Sequence, residues 1–486
     1  MKRLYTPWGE AVDKTCPLPE YPRPQLVRDS YLCLNGLWDY AVEDGDEHTR
    51  RSTGKILVPF APESLLSGCG FQLRSGETLR YERTFTLPQG FRRERVLLHF
   101  GAVDYEAAVY VNGELAGTHK GGYTSFTLDI TRQARLGENS LFVAVRDDVR
   151  SGLQPKGKQA HLYASSGCDY TRTTGIWQTV WLESVPENYV KSLRLTPDLD
   201  AGVLRWHIEA DAAEGARVTV RAGDTVIAEG RADKNGDGVS VIPAAHLRPW
   251  SPEDPFLYDV DITLGEDRVA SYFGMRKFSL VEHQGRQGLA LNNEPYFQTG
   301  LLDQGYWSDG LYTPPSDEAM VCDIRTMKEL GFNMLRKHIK IEPLRWYYHC
   351  DRLGMLVWQD MVSGEGNDMA LRVGAEFTNM EFANTYNATA KDFDICGMSR
   401  FQCLGGRFTN ALGETFMHKY DPVQGEGAML HILVRAMTQE VRAGRGPISF
   451  DLRGMSEEDK DLSRRMLPMF FEACASKGVD PFSEPV

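Results

Sequence analysis

The sequence predicts a multidomain protein of β plus α/β class: two successive all-β domains, a parallel α/β layer and an α+β tail. Two observations carry this. Short β-rich runs punctuated by turn residues continue as far as Phe278, and beyond it strand-like and helix-like runs alternate. The length of 486 residues, 42% apolar and 25% charged, suits three or four soluble domains rather than one.

From Tyr31 to Glu183 the runs are VLLHF, AAVYV, SFTLDI, SLFVAV and QTVWLE. Asn112-Gly113 follows AAVYV and predicts a tight hairpin, because both central residues of a type I′ turn need positive φ. A second β set, with VLRWHIEA, ARVTVRA, DTVIAEG and FLYDVDITL, runs from Val190 to Phe278, the size of a small sandwich. No fixed-period repeat is visible, which disfavours propellers and solenoids.

Next, strand-like PYFQTGLL precedes SDEAMVCDIRTMKELG, a helix that Ser316 or Asp317 can cap and Gly331 can stop. FNMLRKHI, helical IEPLRWYYHCDRLG and MLVWQDM complete a β-α-β-α-β series, the opening of a (β/α)₈ layer. The residues after Met361 are too few for five further βα units, so the barrel is read as incomplete. In the tail, FQCLGGRFTNALGETFMHKY reads as a hairpin, GEGAMLHILVRAMTQEVRAGRG as a helix, ISFDL as a strand and Ser456 to Lys477 as one long helix.

A formal charge of -13 opposes phosphate backbones and anionic lipid, so neither nucleic acid nor membrane is an expected partner. The opening MKRLYTPWGE has no apolar core of the secretory kind, and a cytoplasmic location is expected. Nine cysteines are scattered singly without a CxxC pair, so reduced thiols are expected.

Several motifs have dull readings. Asp233-Lys234-Asn235-Gly236-Asp237-Gly238 begins like a calcium loop, yet its twelfth position is Ala244 where a Glu is required, so a hairpin turn is expected. His349-Cys350-Asp351 sits in a helical pattern where adjacent side chains diverge, and no metal is assigned. The strand ends say more. Arg336 and His338 alternate with Lys337 and share one side of a strand, and with Asp303, Trp358, Gln359 and Asp360 they occupy the carboxyl ends where such layers place their chemistry. Asp303 and Asp360 are read as orienting or hydroxyl-binding groups, not as a catalytic pair. Trp307 or Trp358 could offer an apolar face.

Residues 299 to 361, from TGLLDQGYWSDGLY through GFNMLRKHIKIEPLRWYYHCDRLGMLVWQDM, resemble the opening of the barrel in glycoside hydrolase family 2, the β-galactosidase and β-glucuronidase family. NGLWDY, VPFAPES, VDYEAAVYVNG, GGYTSFTLDIT and TRTTGIWQTVWLE are similar to that family's jelly-roll sugar-binding domain, and PWSPEDPFLYDV to the end of its immunoglobulin-like domain. The resemblance implies four segments: a jelly roll at 1–187, an immunoglobulin-like sandwich at 188–278, the start of a barrel at 279–363, and a tail at 364–486.

It also implies retaining hydrolysis of a terminal sugar by two glutamates, one usually preceded by Asn. The only Asn-Glu pair, Asn293-Glu294, precedes the first barrel strand, and no downstream residue matches either glutamate. Catalytic residues are therefore left unassigned, and Asp303, Arg336, His338, Trp358 and Asp360 are expected to bind substrate. The resemblance thus implies a family 2 glycoside hydrolase that is inactive as it stands for want of the catalytic glutamates, with a non-catalytic carbohydrate-binding protein as the first alternative.

SGEGNDMALRVGAEFTNMEF and the runs after it resemble flavoprotein subunits of the fumarate reductase and succinate dehydrogenase family, where Gly364-Glu365-Gly366 is similar to a flavin-contacting turn. The glycine-rich dinucleotide fold of that family is missing, so no cofactor is expected, and a flavin-dependent oxidoreductase fragment is the second alternative. The two resemblances meet near Gly364 and imply a chimeric chain whose tail lacks the domain it would pack on. Sugar identity and homo-oligomerisation are left open.

Overall fold

The computed structural model describes residues 4–44, 50–91, 93–148, 154–160, 162–165, 169–283, 285–362, 401, 405–428, 430–466 and 468–483. The chain divides into two compact units, Met1–Asn367 and Asp368–Val486.

Unit 1 begins with the turn α1 (Pro7–Glu10), whose cap Thr6 accepts the Gly9 N–H on its hydroxyl at 3.0 Å. An irregular strap then runs to β1 (Leu32–Cys33). The strands β2 (Gly36–Glu43), β3 (Arg50–Val58), β4 (Thr78–Leu87), β5 (Arg95–Phe100), β6 (Val103–Asp104), β7 (Glu106–Val111), β8 (Glu114–Lys120), β9 (Phe126–Asp129), β10 (Gly137–Arg146), β11 (Gly175–Ile176) and β12 (Val180–Val185) follow. They form a four-stranded sheet, β1-β12-β5-β9, and a six-stranded sheet, β3-β2-β4-β10-β7-β8, with a short β6-β11 ladder. Alternation decides what each strand buries: Leu141, Val143 and Val145 of β10 join Leu79 and Tyr81 of β4 and Val109 and Val111 of β7 in one core with Val96, Leu98 and Phe100 of β5. Asn112 and Gly113 join β7 to β8 with φ of 52° and 84°, the conformation read from their sequence.

Strand β12 is buried along its whole length. Leu182 enters the core, while Trp181 and Glu183 face the other way, beneath the strap. Trp181 stacks on His99 at 4.8 Å, and Glu183 accepts hydrogen bonds from Tyr21 (2.5 Å), Arg23 (2.8 Å) and Arg28 (2.8 Å).

A three-on-four sandwich comes next, from β13 (Ser192–Asp198), β14 (Val203–Glu209), β15 (Arg217–Ala222), β16 (Thr225–Arg231), β17 (Asp237–Val241), β18 (Tyr258–Leu264) and β19 (Asp267–Phe273), in sheets β13-β14-β17 and β16-β15-β18-β19. Trp206, Val218, Val220, Val260 and Ile262 fill it. The Asp233 motif is a turn but not a hairpin, because β16 and β17 belong to opposite sheets and the chain arches between them. The Asp233 carboxylate accepts the N–H groups of Asn235 (2.8 Å) and Asp237 (2.9 Å), so the turn itself uses the charge. Gly238 is required there, since a Cβ would lie 2.1 Å from the Trp206 ring.

Arg28 joins the two sandwiches. Its guanidinium grips Asp267 at 2.9 Å through Nε and through Nη2, reaches Glu183 through Nη1, and donates to the Val190 carbonyl at 2.6 Å.

After the small meander β20 (Phe278–His283), β21 (Arg286–Leu291) and β22 (Glu294–Pro295), the expected β-α-β-α-β series is present. It comprises β23 (Gly300–Asp303), α2 (Asp317–Glu329), β24 (Met334–Lys337), α3 (Leu344–Leu353) and β25 (Leu356–Gln359), with the three strands parallel in the order β23-β24-β25. Ser316, not Asp317, caps α2, accepting the Ala319 N–H at 3.1 Å, and Gly354 ends α3 at φ 79°. Asn293-Glu294 lies in the β21–β22 turn, with Asn292 and Asn293 at φ 55° and 71°.

Unit 2 departs from its sequence reading in one place. Of the hairpin read at 401–420 the described residues keep a single antiparallel bridge, Thr409 to Thr415, while β26 (Arg407–Thr409) pairs along its length with the distant β27 (Ser449–Asp451), and the helical turn α4 (Met417–Tyr420) and the helix α5 (Leu430–Glu440) intervene. The helices α6 (Glu457–Met466) and α7 (Pro468–Ser476) cover the stretch read as one long helix, and residue 467 between them lies outside the described residues. The tail closes a core of its own from Phe401, Phe408, Phe416, Leu433, Phe450, Leu452 and Phe470. Gly364-Glu365-Gly366 lies outside the described residues.

Arg28 is 5% exposed, and removing one member of a buried ion network strands its partners. Arg28→Ala is expected to lower unfolding free energy by about 3–5 kcal/mol in chemical denaturation, leaving Asp267 uncompensated and Glu183 with Arg23 as its remaining cation. A pH effect accompanies it. Burial pushes His99 down to about 3 against the pull of Glu183, whereas an unfolded His titrates at 6.5. Between those values only the unfolded chain binds the proton, so stability falls as pH drops below about 6.5. From pH 7 to pH 5, His99→Gln should lose about 2 kcal/mol less stability than the parent, measured by denaturation at both values.

Candidate functional site

Pairing register fixes which strand-end residues share a face. Asp303, Lys337 and Gln359 form one row, and Leu302, Arg336 and Trp358 the next. The first row belongs to the side covered by α2 and α3, where Leu301, Leu335 and Val357 pack with Met320, Ile324, Trp346 and Cys350. The second points away from the helices.

On the helix side Lys337 is 1% exposed. Its ammonium lies 4.2 Å from the Trp346 ring centroid and donates to Asp303 (2.7 Å) and Glu342 (2.8 Å). Lys340, equally buried, shares Glu342 at 2.9 Å and donates to the carbonyls of Gly305 (2.6 Å) and Tyr312 (2.8 Å). Burial, only partly offset by Glu342, lowers Lys340 to about 8, whereas Lys337, with two carboxylates, is raised despite its burial. Asp303 also accepts the Gly305 N–H at 2.8 Å. The expectation that Asp303 lines one pocket with Arg336 and His338 is therefore corrected: strand alternation puts it on the opposite face, in a buried ion cluster.

On the open face Arg336 and Asp360 form a two-pronged pair at 2.9 and 3.1 Å, the guanidinium side chain half exposed at 49%. Trp358 is 45% exposed and donates its indole N–H to Gln298 at 2.5 Å. The Gln304 amide donates to His338 Nδ1 at 3.0 Å, which leaves the ring proton on Nε2. Burial, and then the Lys158 charge, lower the His338 pKa. So Arg336, His338, Trp358 and Asp360 share a face as the alternation implied, and Trp307 turns instead to Trp8, edge to face at 6.4 Å.

The first sandwich supplies a rim to these strand ends. Tyr170 donates its hydroxyl to Gln304 and packs on Tyr306 at 4.6 Å, while Asp169 pairs with Lys156 at 2.7 Å. Gly157, at φ 58°, brings the Lys156–Lys158 loop against Ile339, whose carbonyl would lie 2.7 Å from a Cβ at that glycine. Sequence reasoning missed Tyr170, Gln304 and Glu342. The spacing Lys337, Lys340, Glu342 was the available signal for a buried ion cluster. Arg, His, amide and carboxylate groups around an exposed indole suit a polyhydroxylated ligand, with hydrogen bonds to hydroxyls and an apolar ring face. Proton transfer paired with nucleophilic attack is another matter, since the two acidic strand-end residues lie on opposite faces and each is ion-paired. Among the described residues no group of three or more His, Cys, Asp or Glu could hold a metal ion.

Two family models match the chain: the glycosyl hydrolase 2 galactose-binding domain-like model at residues 60–178, and the glycosyl hydrolases family 2 model at residues 188–276. The chain thus carries domains of glycosyl hydrolase family 2, one in each sandwich. A β-galactosidase of Thermoanaerobacter pseudethanolicus is 27% identical over 306 residues, 58% of this chain and 39% of the relative. The β-glucuronidase of Felis catus is 25% identical over 388 residues, 69% of this chain and 58% of the relative. Among solved structures, a β-glucuronidase of an uncultured Clostridium species shares the fold at TM-score 0.57 and 24% identity, over 69% of this chain and 60% of that one. The Ruminococcus gnavus β-glucuronidase does so at 0.58 and 19%, over 71% and 61%. The chain spans less than two thirds of the length of each of these proteins.

The two faces predict opposite mutational behaviour. Lys337→Ala strands Asp303, leaves Glu342 with Lys340 alone and is expected to cost about 3–5 kcal/mol of unfolding free energy, whereas Arg336→Ala on the open face costs less than about 1 kcal/mol. Thermal and denaturant unfolding of the two variants checks this.

Proposed function

We propose that unit 1 is a carbohydrate-recognising assembly of family 2 glycosidase type, with a jelly-roll domain, an immunoglobulin-like domain and the first strands of a (β/α)₈ barrel, which takes the terminal sugar of a glycoside at the carboxyl ends of β23, β24 and β25. One observation carries the reading: family 2 domains precede, in order, a parallel layer whose open face groups Arg336, His338, Trp358 and Asp360. The relatives include enzymes named β-galactosidase and β-glucuronidase, and a glycoside is the substrate class they have in common.

Each group has a role there. Arg336, held by Asp360 and half exposed, donates to ring hydroxyls or to a sugar carboxylate. His338, its Nδ1 occupied by Gln304, presents Nε2–H. Trp358 offers its ring to the apolar face of a pyranose. Retaining hydrolysis needs two carboxylates about 5–5.5 Å apart, and Asp303 and Asp360, on opposite faces, do not form that pair. Among the described residues these strand ends thus support recognition rather than turnover.

Two measurements test it. Nitrophenyl galactosides, glucuronides and mannosides should show no release above a buffer blank. In calorimetric titration with the parent sugars, Arg336→Ala should weaken binding by about tenfold, the loss of one charge-assisted hydrogen bond. Equal affinity in parent and variant places the sugar elsewhere.

A further inference from the structure

The nine cysteines are scattered in sequence, yet the fold brings two of them together. Cys16 lies in the strap and Cys33 on β1, and the backbones around them run side by side. Asn35 Nδ2 donates to the carbonyls of Pro17 at 2.9 Å and Leu18 at 3.4 Å, and Tyr31 OH donates to that of Pro19 at 3.0 Å. The Thr15 carbonyl sits 2.6 Å from where a Cβ would stand on Gly36. These contacts set Cys16 and Cys33 beside one another, and both residues are partly accessible.

The pair is electronically unequal. The hydrogen bond from Cys16 holds the Cys33 thiol down to about 7 against the effect of burial, helped by the Asn35 N–H, the Tyr31 hydroxyl and the Arg83 charge. Cys16 is raised, by the neighbouring Cys33 and by its own burial. A thiolate beside a protonated thiol is the arrangement of an attacking and a resolving cysteine.

We propose that Cys16 and Cys33 are an oxidisable dithiol whose disulfide fastens the strap to the first sandwich, with a low-molecular-weight disulfide as the oxidant. The Cys33 thiolate attacks one sulfur of the oxidant and expels the other as a thiolate, giving a mixed disulfide. Cys16 then loses its proton and attacks the Cys33 sulfur, expelling the second thiolate. Two protein thiols are oxidised, one S–S bond forms in the protein, and the oxidant is reduced to two thiols. The loop this closes contains Tyr21, Arg23 and Arg28, the residues that grip Glu183 and, through Arg28, Asp267. Closing it restricts the unfolded chain around those residues and so stabilises the strap.

The test uses the full chain exchanged with glutathione disulfide at mildly alkaline pH, then alkylated, counted for thiols in denaturant and mapped as non-reduced peptides. Thiols are expected to fall from the nine in the sequence by two, with the missing pair mapped to Cys16 and Cys33 and the thermal midpoint raised by several degrees. Cys33→Ser should lose both effects. Cys16→Ser should stop at a mixed disulfide on Cys33, with no rise in midpoint. An unchanged thiol count, a disulfide between other cysteines, or a Cys16–Cys33 disulfide with no rise in midpoint overturns the proposal. None of these readouts depends on sugar binding.

Discussion

The Arg28 guanidinium is the point on which unit 1 turns. It is buried, and it contacts Glu183 of the last strand of the first sandwich and Asp267 of the last strand of the second. Neither carboxylate could be left dry without a cation, and the cation could not be left dry without both. Burial alone would raise Glu183, but His99, Arg23 and Arg28 together hold it down to about 2, so it is charged wherever the protein is folded near neutrality. Unlike apolar contacts, such a clamp has one satisfactory geometry, and it fixes the angle at which the second sandwich presents the layer that follows. Tyr272 and Arg276, on and just after the last strand of that sandwich, extend the connection by donating to Asp351 of α3 at 3.1 and 2.7 Å.

The parallel layer repeats the solution at smaller scale. Lys337 and Lys340 surround Glu342, and Asp303 completes the charge, so the helix side of the strand ends is electrostatically closed. The opposite face differs, for there Arg336 and Asp360 are paired but wet. The division follows from burial: enclosed charges must satisfy one another, while half-exposed charges can exchange partners at small cost.

Much of this arrangement was legible locally. Period-two runs located the strands of both sandwiches, and the alternation of Arg336, Lys337 and His338 correctly put the first and third on one face. Alternation could not say where Asp303 belonged, because that depends on its register against β24, a pairing 34 residues away in sequence. The clamp was illegible for the same reason: Arg28 lies 155 residues from Glu183 and 239 from Asp267. The tail misled where strand-like residues close in sequence pair elsewhere, as Phe408 does with Phe450. Cys16 and Cys33 carry no motif, and only the path of the strap makes them neighbours.

Gly157 constrains how this protein can diverge. With its backbone at φ 58° and the Ile339 carbonyl, the Tyr312 hydroxyl and the Tyr123 hydroxyl all within 3.0 Å of a would-be Cβ, it admits no side chain without lifting the loop off the strand end. Its neighbours Lys156 and Lys158 are under no such steric rule. Drift in this loop can therefore change the charge that meets an incoming ligand while the height of the rim stays fixed, so new preferences can arise there without rebuilding the scaffold.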